Sequence, residues 1–382
     1  MVGVVGAGAM GAGIAQVAAV AGHEVVLADA AGAAIERARA GHAKGFATLV
    51  TRHKLTPEAA AAAAGRITYV DRVDDLSAFA GCELVIEAVV EDLAVKRALF
   101  QALEKVVAPD TLLASNTSSL SIAAIGGGSA HPERVVGLHF FNPAAVMPLV
   151  EVITDVHAER LCTLMRAWGK VPVVASDTPG FIVNRVARPF YGEALRILDE
   201  GIASVATIDR ALRSVGGFKM GPFELMDFIG HDVNFAVTSS VYAGMFYDPR
   251  YRPSHTQQRL VERGLLGIKT GRGFYDYSDG AVNPEPQPDG IGTIAIADRV
   301  ITMLINEAVD AVYMGVASPA DIDLAMTKGV NYPRGLLAWA DEIGAAEMCM
   351  RMDELYEWYH EDRYRASPLL RHRASSGEKF LP

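Results

Sequence analysis

Two ionisable side chains lie in a stretch that is otherwise apolar, GLHFFNPAAVMPLVEVI, residues 137–153. They are His139 near its start and Glu151 near its end. Burying an imidazole or a carboxylate without a partner is costly, so the two groups are expected to face each other. A carboxylate beside an imidazole raises the basicity of the ring, which suits a general base. A purely structural His–Glu hydrogen bond is the alternative interpretation.

Two neighbouring strands must bring this pair together. The pattern predicts one strand over 135–138, which delivers His139, and another over 149–153. The turn NPAAVMP, which contains Asn142, joins them, and a hairpin with this connection places His139 beside Glu151. Catalysis is favoured over the structural alternative because the pair is expected at the ligand-binding edge of a dinucleotide-binding sheet.

The start of the chain predicts that sheet. A buried strand over 1–5 is followed by GAGAMG, a helix to Gly22, a second strand over 24–28 and Asp29. A GxGxxG motif in this context is typical of dinucleotide binding. The loop residues expected to contact the cofactor are Gly6, Gly8, Ala9, Met10 and Gly11. Asp29 is expected to accept hydrogen bonds from the adenosine ribose and to repel a 2′-phosphate, which favours NAD over NADP. A flexible glycine-rich turn beside an ordinary aspartate is the alternative.

Further polar groups follow two later strands. One strand runs to Glu87 and is followed by Glu91, and another, over 111–115, ends in SNTSS, residues 115–119. Such clusters past strand ends are where these sheets hold ligands. A helix cap formed by Ser118 or Ser119, which would start a helix over 120–125, is the alternative and is compatible with binding. Residues 31–66 are predicted to be helical and carry basic residues, which suit a solvated helix face or an anionic substrate: Arg37, Arg39, Lys44, Arg52 and Lys54.

The character of the chain changes at Asp177. DTPGF begins a region in which nearly everything to Phe246 is helical in pattern, and residues 278–293 read as a linker rich in proline and glycine. Residues 184–230 align with 298–344 without a gap, and fifteen of the 47 positions are identical. The predicted organisation is therefore a Rossmann-type α/β domain, 1–177, a helical domain, 178–277, the linker, and a second, degenerate helical copy, 294–382. The copy lacks TPGF and has Asp298 at the position of Asn184.

The composition argues against several kinds of partner, site and location. The net charge of −10 argues against general nucleic-acid binding. The three cysteines are far apart with no metal-ligand spacing, so we expect no metal site and a reducing, cytoplasmic location. The uncharged first 22 residues resemble neither a signal peptide nor an ordinary membrane span, because they contain six glycines and no basic start.

Taken together, the motifs resemble the 3-hydroxyacyl-CoA dehydrogenase family. The matching pieces occur in the family's order and cover essentially all of residues 1–277: VVGAGAMGAGIAQ, EAVVEDLAVK, SNTSSL, GLHFFNP, MPLVEVI, DTPGFIVNR and GPFELMDFIG. The resemblance implies NAD-dependent oxidation of a (3S)-3-hydroxyacyl-CoA to the 3-ketoacyl-CoA, as in fatty-acid breakdown. GGFKMGPFELMDFIGHDVNFAV and NYPRGLLAW are similar to a long bacterial branch that is associated with 3-hydroxyadipyl-CoA in phenylacetate breakdown.

Matched residue by residue, the resemblance makes His139 the base and Glu151 its partner. It places Ser118 and Asn142 at substrate and cofactor contacts, and Asn184 near the reacting carbon. Contacts on the nicotinamide and ribose side are implied for Glu91, Lys96, Asn116 and Lys269. Lys54, one of the basic residues of 31–66, is assigned to binding of the anionic substrate. In shorter relatives the helical domains pair across a dimer, so the second copy is expected to form the equivalent pair within one chain, and a homodimer of the whole chain is compatible with this.

The sequence leaves alternatives open for the substrate and for the class of protein. The substrate is 3-hydroxyadipyl-CoA or, as the alternative, 3-hydroxybutyryl-CoA. A terminal carboxylate needs a cation, for which the helical domain offers Arg185, Arg188 and Lys219; a surface or helix-pairing role is the alternative for each. A non-enzymatic NAD-binding relative and a membrane-anchored protein are the rivals from other classes.

Overall fold

Eight strands form one sheet in the first part of the chain, in a computed structural model that describes residues 1–71, 76–287 and 292–382. The strands are β1 Val2–Val5, β2 Val25–Ala28, β3 Ile67–Val70, β4 Leu84–Glu87, β5 Leu112–Ser115, β6 Val135–Phe140, β7 Leu149–Ile153 and β8 Val171–Ala175. Their order is β3-β2-β1-β4-β5-β6-β7-β8. All neighbours are parallel except β6 and β7, which pair antiparallel. This confirms the predicted Rossmann-type sheet, with its switch point between β1 and β4.

Helices cover this sheet because most of its strands are buried on both faces, as parallel sheets are. They are α1 Ala9–Val20, α2 Gly32–Thr51, α3 Pro57–Gly65, α4 Leu93–Glu104, α5 Ile122–Gly126 and α6 Ala158–Ala167. Ile14 of α1 and Leu27 of β2 are fully buried in the same core. Burial of each such side chain contributes about 1.5–3 kcal/mol to the free energy of folding.

Residues 178–382 form a second compact unit, separate from residues 1–177. It is entirely helical in its regular elements among the described residues. Its helices are α7 Val183–Val186, α8 Arg188–Asp199, α9 Val205–Ser214, α10 Pro222–Ile229, α11 His231–Gly244, α12 His255–Glu262, α13 Gly292–Tyr313, α14 Pro319–Gly329, α15 Leu336–Ile343, α16 Ala345–Tyr359 and α17 Pro368–Ser376. The predicted linker includes residues 288–291, which lie outside the described part of the chain.

The internal repeat is visible in the hydrogen bonds of this unit. The Asp209 carboxylate accepts from the amides of Phe223 and Glu224 at 2.9 and 3.1 Å, at the start of α10. Its counterpart Asp323 accepts from the amides of Leu337 and Ala338 at 2.7 and 2.9 Å, at the start of α15. All three positions are 114 residues apart in sequence, so the repeat preserves the side chains that cap corresponding helices.

The glycines that the repeat retains have a steric cause. A Cβ atom at Gly221 would lie 2.3 Å from the Asp209 side chain, and one at Gly335 would lie 2.2 Å from Asp323. Any larger residue would displace the capping carboxylate, so glycine and aspartate are kept as a pair in both copies.

The two copies pack against each other through reciprocal ion pairs. Arg185 of the first copy donates to Glu307 of the second at 2.7 Å, and Arg299 of the second donates to Glu193 of the first at 3.1 Å. Arg185 and Arg299 are matching positions of the repeat, as are Glu193 and Glu307. Each repeat thus donates from its arginine to the glutamate that the other repeat carries at the matching position.

Tyrosines complete both ion pairs. The Tyr251 hydroxyl donates to Glu307 at 2.6 Å, and the Tyr364 hydroxyl donates to Glu193 at 3.0 Å. Arg185, Glu193 and Glu307 are almost wholly buried. Since a buried ion pair stabilises only when its hydrogen bonds are satisfied, these hydroxyls matter to the pairing.

Candidate active site

The antiparallel pairing of β6 and β7 brings His139 and Glu151 directly opposite each other. Nδ1 of His139 lies 2.6 Å from Oε2 of Glu151. The imidazole is 6% exposed and Glu151 is fully buried. The carboxylate can only accept, so Nδ1 carries a proton and the neutral ring leaves Nε2 as its basic nitrogen. The arrangement is a histidine with a fixed tautomer, at the carboxyl end of a strand that is parallel to β5.

The end of β6 is held by an amide side chain from the neighbouring strand. The Phe140 amide donates to Oδ1 of Asn116 at 2.8 Å, just past the end of β5. Phe141 packs against the imidazole, with the two ring centroids 4.5 Å apart. Asn142 follows on the turn between β6 and β7. Asn116 therefore positions the backbone that carries His139.

A buried lysine that the sequence reasoning missed anchors the same turn. Nζ of Lys170 donates to the carbonyls of Ala144 and Met147 at 2.5 and 2.8 Å. Lys170 is 8% exposed, and burial lowers the pKa of its ammonium to about 8. Its sequence context, a glycine and a lysine before a strand, gives no signal of this contact. The anchor fixes the connection between the two strands that carry the His139–Glu151 pair.

Glu91 organises the SNTSS segment. Its Oε1 accepts from the hydroxyls of Thr117 and Ser119 at 2.7 and 2.8 Å and from the Ser118 amide at 3.1 Å. Burial alone would raise the pKa of Glu91, but the Thr117 hydroxyl and the charge of Lys96 outweigh it and hold the pKa below its usual range. Glu91 thus stays ionised and orients the half-buried Ser118.

Lys96 lies beneath this segment rather than at the surface. Its side chain is 1% exposed, and Nζ lies 2.6 Å from Glu87 and 3.2 Å from Glu91. The Ser115 hydroxyl donates to the second oxygen of Glu87 at 2.7 Å. The sequence analysis did not assign Glu87 to the site. Its position, at the end of an apolar strand, resembles that of Asp29, which was assigned on this pattern.

The alternative interpretation of SNTSS, in which Ser118 or Ser119 caps the next helix, does not match the structure. The helix α5 begins after Ser121, whose hydroxyl accepts from the Ala124 amide at 3.1 Å. The Asp177 carboxylate adds a second cap, because it accepts from the amides of Ile122 and Ala123 at 3.0 and 2.8 Å. Ser118 and Ser119 are bound to Glu91 instead, which leaves the role of cap to Ser121.

The glycine loop after β1 has the shape that a dinucleotide needs. Gly6 has φ +102°, and a Cβ there would lie 2.5 Å from the Ala88 carbonyl oxygen. A Cβ at Gly11 would lie 1.8 Å from the Gly6 carbonyl oxygen, whereas Gly8 faces open space. Ala9 and Met10 begin α1, whose N-cap Gly8 offers no side-chain cap. The amide groups at this helix start are therefore positioned for a pyrophosphate.

Asp29 holds this loop as well as facing the cavity. Its carboxylate accepts from the amides of Ala7 and Ala31 at 2.7 and 2.8 Å. The cavity, of about 460 Å³, is lined by Gly6, Gly8, Asp29 and a wall of apolar residues that includes Val89 and Leu99. An acid beside an apolar slot and a bare glycine loop fits the adenosine and pyrophosphate of NAD.

The remaining predicted residues lie in separate places. Lys54 is exposed and lines a second cavity of about 280 Å³, together with Trp168 and Lys170. The other basic residues of 31–66, Arg37, Arg39, Lys44 and Arg52, are exposed. Asn184 and Lys269 belong to the second unit, where Asn184 is half-buried on α7 and Lys269 pairs with Asp232 at 2.5 Å.

Both units match models of one known protein family. Residues 1–178 match the NAD binding domain of 3-hydroxyacyl-CoA dehydrogenase. Residues 180–277 and 296–379 both match the C-terminal domain of the same family. No helix of the described ranges 1–71, 76–287 and 292–382 is both long and apolar enough to cross a membrane.

Individual relatives cover the chain to different extents. The chain is 42% identical to 3-hydroxyadipyl-CoA dehydrogenase of Escherichia coli, over 98% of this chain and 97% of that protein. It is 42% identical to 3-hydroxybutyryl-CoA dehydrogenase of Bradyrhizobium diazoefficiens, over 72% of this chain and 94% of that protein. A solved structure of 3-hydroxybutyryl-CoA dehydrogenase from Escherichia coli is 41% identical, with a TM-score of 0.91 and 99% of each chain covered.

Proposed function

The chain belongs to the 3-hydroxyacyl-CoA dehydrogenase family, whose members oxidise 3-hydroxyacyl-CoA with NAD, and from this premise we propose that the His139–Glu151 pair carries the proton transfer. The observation that supports it is the 2.6 Å contact between Nδ1 and Oε2 in a buried hairpin. A base must hold one tautomer and one orientation to act on a substrate hydroxyl, and this contact provides both.

The proposed reaction begins when Nε2 of His139 accepts the proton of the (3S)-hydroxyl group. Glu151 stabilises the imidazolium that forms, because its carboxylate lies against Nδ1 and is excluded from water. NAD would accept the hydride that leaves the carbon bearing this hydroxyl group. General-base catalysis of this kind accelerates reactions by about 10²–10⁴-fold. The rest of the acceleration comes from holding the substrate carbon in the correct orientation.

Other residues of the first unit position the reactants. Ser118, oriented by Glu91, is proposed to donate to the substrate oxygen, and Asn142 is proposed to contact substrate or cofactor from the turn after β6. Asn116 acts on His139 through the backbone of β6, as its bond to the Phe140 amide indicates. Lys96 is buried between Glu87 and Glu91, so its proposed contribution to the cofactor site is made through Glu91.

The cofactor site is proposed to hold NAD through the glycine loop and Asp29. Gly8 allows the close approach of a pyrophosphate, Gly6 permits the tight turn after β1, and Gly11 lets α1 lie close to that turn. Ala9 and Met10 provide amide groups at the start of α1. Asp29 would accept from ribose hydroxyls and repel the 2′-phosphate of NADP. From the second unit, Lys269 is proposed to contact the cofactor and Asn184 the substrate, and Lys54 is proposed to bind the anionic end of the acyl-CoA.

The substrate is proposed to be 3-hydroxyadipyl-CoA. The relative with this name spans 98% of the chain, including the second helical copy, whereas the shorter 3-hydroxybutyryl-CoA dehydrogenases match 72%. The second candidate is 3-hydroxybutyryl-CoA, because the solved structure that covers 99% of the chain is that of a 3-hydroxybutyryl-CoA dehydrogenase. A dicarboxylic substrate would place the enzyme in aromatic-acid breakdown, and a monocarboxylic one in ordinary fatty-acid breakdown.

A substrate panel separates these candidates. We expect NADH formation with both CoA thioesters and a higher kcat/KM for 3-hydroxyadipyl-CoA than for 3-hydroxybutyryl-CoA. A clear preference for 3-hydroxybutyryl-CoA would contradict the dicarboxylic proposal and leave the family activity intact. NAD binding without turnover of either compound would contradict the proposed enzymatic role and favour a non-enzymatic NAD-binding protein.

The domain organisation is proposed as residues 1–177 for cofactor binding, 178–277 for the substrate, 278–293 as linker and 294–382 as a second copy without an active site. The reciprocal pairs Arg185–Glu307 and Arg299–Glu193 support it, because they are what a dimer of identical helical domains would form. The second copy would then replace the partner subunit of shorter relatives. Its lack of TPGF and of Asn184 is consistent with a scaffold role.

A further inference from the structure

One buried guanidinium in the second unit lacks a carboxylate partner. Among the described residues, five arginines are almost wholly buried. Arg134, Arg185, Arg250 and Arg363 each lie within 3.3 Å of a glutamate or aspartate oxygen. Arg188 is 6% exposed and lies beside no acid in the described part of the chain. The Tyr332 ring packs close by, with its centroid 5.8 Å from that of Phe190, two residues further along α8. A buried, unpaired charge is costly, so its retention calls for an explanation.

The polar atoms around Arg188 are incompletely satisfied. Nη1 donates to the Thr238 hydroxyl at 2.9 Å, and the Tyr191 ring lies 4.9 Å from the guanidinium carbon. Nε of Arg188 and the hydroxyl of Tyr332 are buried without a hydrogen-bond partner among the described residues. Burial lowers the pKa of Arg188 and raises that of Tyr332. A cation and a phenol that both have hydrogen bonds left to donate form a receptor for an anion, and a carboxylate accepts from both types of donor.

The position of Arg188 suits a substrate that Asn184 contacts. Both residues lie in the continuous right-handed stretch of α7 and α8, four residues apart, so their side chains point to the same side. Four residues of helix span about 6 Å. In 3-hydroxyadipyl-CoA the terminal carboxylate carbon is three carbon–carbon bonds from the reacting carbon, about 4 Å when extended. An arginine side chain is long enough to span the difference between these two distances.

We propose that Arg188 and the Tyr332 hydroxyl form the site that binds the terminal carboxylate of a dicarboxylic acyl chain. The inference rests on the proposed dicarboxylic substrate and assigns the residues that select it. The two other cations considered from sequence do not fit, because Arg185 is paired with Glu307 and Asp310 and Lys219 is exposed. Tyr332 belongs to the second helical copy, so that copy would take part in substrate selection through this residue, although it has no catalytic group.

The test compares 3-hydroxyadipyl-CoA with 3-hydroxyhexanoyl-CoA, which has the same chain length and a methyl group in place of the carboxylate. Arg188→Met should lower kcat/KM for the adipyl substrate by about 10- to 100-fold, since a charged hydrogen bond is lost. The hexanoyl substrate should be affected less than about threefold or improved. Tyr332→Phe should lower the adipyl value about 3- to 10-fold with the same selectivity. Arg188→Lys should restore part of the preference, and Arg259→Met, at an exposed arginine of α12, is the matched control that changes neither value.

The outcomes separate this inference from the proposed function. A wild-type enzyme that oxidises the hexanoyl but not the adipyl substrate refutes the dicarboxylic substrate itself. A wild-type preference for adipyl that survives in Arg188→Met refutes only the site. Equal losses on both substrates, without rescue by Arg188→Lys, show that Arg188 is structural and overturn the proposal. If Arg188→Met does not fold, an unchanged substrate ratio in both Arg188→Lys and Tyr332→Phe overturns it.

Discussion

Replacing Glu307 by glutamine should strongly destabilise the protein. The Glu307 carboxylate is 2% exposed and accepts from Arg185 at 2.7 Å and from the Tyr251 hydroxyl at 2.6 Å. Arg250 also lies 3.5 Å from it. Glutamine keeps the size but removes the charge, so two buried guanidinium groups must share the remaining carboxylates, chiefly Asp310.

The magnitude follows from the burial. Breaking a buried ion pair by removing one partner costs about 3–5 kcal/mol, because the other charge is left uncompensated. A domain of ordinary stability has only about 5–15 kcal/mol in total, so the loss should be plain. Because the interface is reciprocal, Glu193→Gln should lower the free energy of unfolding by a similar amount, through Arg299 and Arg363.

Urea unfolding of the full-length variants, followed by circular dichroism, measures the effect. Glu354→Gln, at an exposed glutamate of α16, serves as the matched control and should change the free energy of unfolding by less than about 0.5 kcal/mol. A loss below about 1 kcal/mol in both Glu307→Gln and Glu193→Gln would refute the reasoning. A loss that small is typical of an ion pair at the surface, not of a buried one.

Three further predictions follow from the same contacts. Asp29→Ser should lower the preference for NAD over NADP in kcat/KM by about tenfold or more, and equal use of both cofactors by the wild type would contradict the role of Asp29. A chain that ends at Tyr277 loses Glu307 and Asp310, so Arg185 is exposed without an acidic partner and Arg250 keeps only Asp248. Light scattering should detect aggregation or a new dimer, and a soluble, fully active monomer would contradict this. Between about pH 8 and about pH 10.5, the free energy of unfolding of the wild type should rise by about 1–3 kcal/mol relative to that of Lys170→Met. The reason is that Lys170 has a pKa of about 8 in the folded protein, so in this range the unfolded chain binds more protons than the folded one. A difference between the two proteins that does not change with pH in urea unfolding would show that the pKa of the lysine is not lowered.

Much of the fold and the central pair could be predicted from sequence because the signals are local. His139 and Glu151 are the two ionisable side chains of an otherwise apolar hairpin, so the cost of burying either one alone indicated the pairing that the register of β6 and β7 shows. The glycine loop is recognisable because Gly6 and Gly11 occupy positions where any side chain would collide with backbone. The internal repeat was inferred from matched acids and glycines: Asp209 accepts from the amides at the start of α10, and its counterpart Asp323 does the same at the start of α15.

The residues that sequence reasoning missed depend on partners far along the chain. Lys170 reaches carbonyls that are 23 and 26 residues away, and nothing in its own neighbourhood reveals this. Lys96 was assigned to a cofactor contact, yet its burial depends on Glu87 of a neighbouring strand. The cap at Ser121 was missed because Ser118 and Ser119 precede it with equal propensity, and only the contacts of Glu91 distinguish them. Such assignments depend on tertiary burial, which a local pattern does not contain.

The most direct test of the central claim is the turnover of His139→Gln and Glu151→Gln with a 3-hydroxyacyl-CoA and NAD. Both variants should bind NAD and substrate with near wild-type affinity, while kcat falls by about 10²–10⁴-fold, because the base is lost in the first and its tautomer and positive charge are unsupported in the second. NADH formation at saturating substrate, with binding measured separately by calorimetry, provides the comparison. Near wild-type kcat in either variant would contradict the role given to that residue and, with it, the proposed mechanism.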